Sequence, residues 1–103
     1  MKLHLVLKAK WYDMIVTGEK PYEYRDFNKY WIKRIWMKRK IIQSIVFHRA
    51  YTNITHERKN KGIFLGYGLP RWGAEKNKQY ICIGLGEEVN MARTLVETLA
   101  DAI

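Results

Sequence analysis

The spacing of the apolar residues changes repeatedly along this chain, and no single period lasts long enough to build a large element. Leu3, Leu5 and Leu7 alternate with His4, Val6 and Lys8, the period of a half-buried strand. Trp11, Met14 and Ile15 then recur at helical spacing over residues 9–17, and Gly18 stands where a left-handed residue would close that helix. Pro21 blocks further helix, and Tyr22-Glu23-Tyr24-Arg25 returns to alternation. Asn28 is placed to cap a second short helix, in which Trp31 and Ile35, and Ile32 and Trp36, stand four apart. Lys38-Arg39-Lys40 reads as a charged turn, Ile41 to Phe47 as a central strand, and residues 49–62 as a polar, loop-rich stretch. Ile63 to Tyr67 and Tyr80 to Leu85 read as further strands, with turn geometry as the purpose of the Gly66–Gly73 segment between them. From Asn90, Met91, Leu95, Leu99 and Ile103 recur every four residues, and Thr94 with Glu97 offers a capping box, so a terminal helix is expected. About five short strands with short flanking helices predict one α+β domain, folded as a partly open β-barrel.

Length and composition narrow the function classes. A chain of 103 residues buries one core, and its 48% hydrophobic content is too high for a disordered basic tail. Apolar runs are only a few residues long, so no membrane span is expected, and Met1 to Lys8 lacks a signal-peptide pattern. Cys82 stands alone, which excludes an internal disulfide and a cysteine zinc cage, and His4, His48 and His56 show no ligand spacing. The expectation is a soluble, cytoplasmic domain with no metal and no cofactor.

The formal charge is +9, and it is segregated. The first eighty residues carry +12 and the remainder −3, with Glu87, Glu88, Glu97 and Asp101 against Arg93. A basic body with an acidic end points to an anionic partner for the body. The segment Gly18-Glu19-Lys20-Pro21-Tyr22-Glu23-Tyr24-Arg25 is the place where that charge takes a pattern. On a strand Glu23 and Arg25 share one face while Tyr22 and Tyr24 share the other, and Lys20 sits at the preceding turn. Two cations bracketing one carboxylate leave a surplus positive site, suited to an anion or a polar base edge. The same residues also fit a structural Glu–Arg pair on a solvated strand.

Gly18-x-Lys20-x-x-Glu23-x-Arg25 resembles the G-x-K-x-x-E-x-R signature of the ASCH family. The helix around Trp11-Tyr12-Asp13-Met14-Ile15, the Tyr30-Trp31 pair, Phe47-His48-Arg49-Ala50-Tyr51, Gly66-Tyr67-Gly68 and Trp72-Gly73 are similar to the small phage and bacterial branch. The resemblance covers residues 1–86 as an ASCH domain; residues 87–103 have no counterpart in it and are expected as an acidic, helical C-terminal extension. It implies a PUA-like β-barrel that binds RNA or a nucleotide in a basic cleft, with Lys20, Glu23 and Arg25 at the floor. It also implies a rival function, because one branch resembles amidohydrolases acting on N4-acetylcytidine through Lys, Thr and Glu. Lys20 matches that lysine, Glu23 replaces the threonine, and neither Glu57 nor Glu75 aligns with the partner glutamate. Lys20 and Glu23 are then the catalytic candidates, although a carboxylate can act as a base without replacing a hydroxyl nucleophile.

Aromatic residues are interleaved with the basic ones, the composition that stacks single-stranded bases and neutralises phosphates. Trp11, Trp31 and Trp36 lie on apolar helical stripes and are expected in the core. Tyr22, Tyr24 and Tyr67 are the stacking candidates, and Gly18, His48 and Arg49 complete the expected binding set. Self-association through the terminal helix is the remaining partner expectation.

Overall fold

The computed structural model describes residues 1–89, so the expected helix from Asn90 lies outside the described residues. Five strands form one sheet: β1 (Lys2–Leu7), β2 (Tyr22–Asp26), β3 (Ser44–Arg49), β4 (Thr55–Tyr67) and β5 (Gln79–Val89). Their order is β1-β3-β4-β5-β2, with β1 and β3 parallel and the other neighbours antiparallel. Two short helices, α1 (Ala9–Val16) and α2 (Lys29–Arg34), complete a small α+β fold with a curled, barrel-like sheet.

Local chemistry sets the boundaries. β1 buries Leu3, Leu5 and Leu7 and exposes the residues between them, as its alternation predicts. α1 runs into Gly18 at φ +84°, a left-handed conformation that glycine adopts without steric cost. The Asn28 side chain accepts a hydrogen bond from the Trp31 amide at 3.0 Å, capping α2 as its position predicts. Ile15, Ile35, Ile45, Phe47, Ile81 and Ile83 are fully buried between sheet and helices. Each contributes roughly 1.5–3 kcal/mol of burial.

Three boundaries differ from the sequence expectation. The strand expected from Ile41 begins at Ser44, because the Ile41 and Ile42 amides close a helical turn onto the Lys38 carbonyl. Residues 55–62, expected as loop, are the first half of the longest strand. That half has no apolar alternation because the inward Arg58 is satisfied by backbone, its Nε donating to Gly86 O at 2.7 Å. Its register slips around Asn60 and Gly62, where the Asn60 side chain accepts from the Gly62 amide at 2.9 Å. Bulges bend a strand and increase its twist, and the bent β4 pairs with β3 over residues 55–59 and with β5 over residues 57–67. Finally, β5 continues past residue 86, with Glu88 opposite Arg58 and Val89 opposite Glu57.

The sheet edges are β1 and β2, and side chains rather than a ladder cross the seam between them. Arg25 on β2 donates from Nη2 to the Val6 carbonyl on β1 at 3.4 Å. The barrel is thus partly open, and its open seam is where a ligand could enter.

Candidate functional site: a cleft at the open seam

The turn after α1 builds the floor. The Lys20 amide donates to Met14 O at 2.9 Å, which folds the chain back beneath the helix and turns the Lys20 side chain inward. Its ammonium is 1% exposed and donates to Tyr22 O at 2.6 Å and Glu23 Oε1 at 2.8 Å. Burial pushes the Lys20 ammonium below the usual lysine range, against the opposing pull of Glu23. Glu23 Oε1 also accepts from the Tyr24 amide at 3.0 Å, and Oε2 accepts from Arg25 Nη2 at 3.1 Å. Of about four lone-pair sites on a carboxylate, three are then used, and the free one lies on Oε2. Arg25 Nε is buried and has no partner among the described residues. Its guanidinium lies 4.8 Å from the Trp31 ring centroid, stacked on an aromatic face.

Above this floor lies a cleft of about 410 Å³. Trp11, Trp31 and Trp72 line it together with Tyr24 and Tyr80. Lys8, Arg25 and Lys78 face it, and so do Glu23, Asp26 and Glu75. Lys78 and Asp26 pair at 3.0 Å. The strongly basic cleft expected from the charge count is therefore not found. Three cations meet three carboxylates there, while Lys29, Lys33, Lys38 and Lys40 are exposed elsewhere. The chemistry is that of a polar, aromatic-walled slot with one free acceptor on Glu23 beside the Arg25 guanidinium.

The segment between β4 and β5 closes one side. Tyr24 Oη accepts from the Leu69 amide at 3.3 Å. A Cβ at Gly68 would lie 2.6 Å from the Ala74 Cβ and 2.8 Å from the Tyr24 ring, so the backbone reaches this position only as glycine. Gly73, at φ +96° after the short turn of Pro70–Trp72, meets the expectation of turn geometry, whereas Gly66 is paired within β4.

The structure brings Lys20, Glu23 and Arg25 together, as their spacing predicts, but only the last two line the cleft. Tyr24 lines it as well, whereas Tyr22 and Tyr67 line a separate groove. Gly18, at φ +84°, ends α1 and lines neither the cleft nor that groove. His48 and Arg49 are likewise placed away from the cleft. β3 pairs with β1, which sets His48 beside His4, with a 2.9 Å ring-nitrogen contact. Arg49 is held by Asp13 on α1 through contacts of 3.0 and 3.2 Å. Trp11 and Trp31 are only partly buried and form cleft walls, where a core position was expected. Their helical spacing marks an inward stripe, but a stripe cannot show that its edge borders an open seam. Lys8, Asp26, Glu75 and Lys78 carried no distinguishing signal in the sequence. Comparisons with family models, with curated proteins and with solved structures return no match.

Proposed function

We propose that this chain is an ASCH, PUA-like domain that holds a nucleotide of RNA in the cleft between β1 and β2. The cleft floor carries this reading: a free carboxylate lone pair on Glu23 Oε2 lies beside the Arg25 guanidinium, whose Nε has no partner among the described residues, under aromatic walls. Adjacent donors and acceptors are what a base edge presents, and indole and phenol rings supply sequence-tolerant stacking. Lys20 serves as a positioning residue, orienting the Glu23 carboxylate from below through a 2.8 Å contact. The exposed lysines outside the cleft meet phosphate and steer association.

The amidohydrolase reading has less support. Of its two expected catalytic groups, Lys20 is sealed beneath the floor and only Glu23 lines the cleft.

Anisotropy titrations of a labelled mixed-sequence RNA oligonucleotide test the proposal. Affinity should fall with salt at a log–log slope of about −0.7 per phosphate contacted. Arg25→Lys should lower affinity about 10- to 100-fold, since charged hydrogen bonds contribute roughly 1.5–3 kcal/mol. Absence of binding at low salt, or affinity unchanged by Arg25→Lys, overturns it.

A further inference from the structure

The opposite face of β2 carries a second concavity, which the cleft does not explain. Tyr22, Phe64, Tyr67 and Leu69 line a groove of about 180 Å³ on that side. All four are more than a third exposed, and Tyr67 is 72% exposed. Large aromatic rings left in water beside one another mark an interaction surface. The Tyr22 and Phe64 rings meet edge to face with centroids 6.0 Å apart, which leaves ring faces available rather than stacked on each other.

Two observations identify the occupant. First, Tyr24 and Trp72 line both the groove and the cleft, so the two concavities adjoin across shared rings. Secondly, the groove is apolar within and cationic at its margin. The Arg71 guanidinium lies 4.7 Å from the Trp72 ring centroid. Rings inside with a guanidinium at the rim form the platform that single strands use, bases on the aromatics and phosphate on the basic group. An apolar protein partner would not need that rim.

We infer that the groove is a second base-stacking subsite, and that the ligand is a single-stranded nucleic acid crossing from cleft to groove over Trp72. The inference rests on the cleft reading and extends it: the ligand spans at least two consecutive nucleotides and is not a free nucleoside. Base selection belongs to Glu23 and Arg25, while the groove adds affinity without reading sequence, because every base has a π-face.

The test uses the full chain, a short mixed-sequence RNA oligonucleotide and a mixture of the four nucleoside monophosphates. Tyr67→Ala and Phe64→Ala should each weaken oligonucleotide binding about tenfold, the scale of one lost stack. Mononucleotide binding should stay within about twofold of wild type, whereas Arg25→Lys should weaken both ligands. Oligonucleotide affinity unchanged in both groove variants, with Arg25→Lys still damaging, overturns the subsite and leaves the cleft reading standing. Wild type that binds neither ligand overturns both. Sedimentation covers the other occupant: a wild-type dimer dissociated by Tyr67→Ala, with oligonucleotide binding unchanged, assigns the groove to a second copy and overturns the inference.

Discussion

Arg25 and Arg49 each meet a carboxylate at nearly the same distance, 3.1 Å to Glu23 and 3.0 Å to Asp13, yet the two pairs differ in kind. The Glu23 side chain is 7% exposed and that of Asp13 is 56% exposed. Glu23 has lost its water and replaced it with Lys20, Arg25 and the Tyr24 amide. Asp13 keeps its water and gains a bridge from α1 to β3. Coulomb attraction grows as the local dielectric falls, but so does the cost of leaving a charge unpaired. The buried network therefore specifies where donors and acceptors stand at the cleft floor, and the exposed pair specifies little.

The sharpest way to break this comparison is to remove Lys20. Lys20→Met leaves Glu23 buried without its closest partner and should cost about 3–5 kcal/mol in urea unfolding. The double variant Lys20→Met, Glu23→Leu should recover most of that loss, since an apolar replacement of the whole pair restores balance. A single-variant loss below about 1 kcal/mol would place the network among exposed bridges instead.

Titration separates buried from exposed groups a second way. His56 is buried against Tyr12, and its Nε2 has no partner among the described residues. Burial lowers its pKa from 6.5 and Arg58 adds to this, while Glu88, 3.6 Å from Nδ1, opposes both. The unfolded chain therefore takes up the proton first. Stability from this residue is complete above pH 6.5 and is lost as pH falls towards the lower folded value. The urea midpoint should decline as pH falls below 6.5, and His56→Phe should flatten that decline. Glu57, lowered from 4.5 chiefly by hydrogen bonds from Ser44 and Lys2 that outweigh its burial, extends the loss to more acid conditions. An undiminished slope in His56→Phe would assign the acid limb elsewhere.

The smallest effect belongs to the exposed pair. Asp13→Asn should leave both the urea midpoint and RNA affinity indistinguishable from wild type at physiological salt, where screening is strong. A shift larger than that of His56→Phe would make the pair a structural element.

Legibility from sequence followed the length scale of the interactions. β1, α1, the Gly18 turn, β2 and the Asn28 cap were all readable, because each depends on residues within a few positions of one another. The shared face of Glu23 and Arg25 followed from strand period alone. The first half of β4 was not readable, because its inward Arg58 is satisfied by the Gly86 carbonyl from a distant strand. His48 and Arg49 were misplaced for the same reason, since partners far along the chain, His4 and Asp13, hold them.

The local alternation and the Gly18–Arg25 spacing by themselves determined an α+β chain with two cations converging on one carboxylate. Only the tertiary structure decided that β1 and β2 become the two edges of one sheet, leaving the seam open beside that carboxylate. It also decided that Lys20 lies beneath the floor, that the cleft charges balance, and that Trp11 and Trp31 face a cavity. The physical reason is range: strand period and turn chemistry act between neighbours, whereas burial and charge balance depend on residues that meet only when the sheet curls.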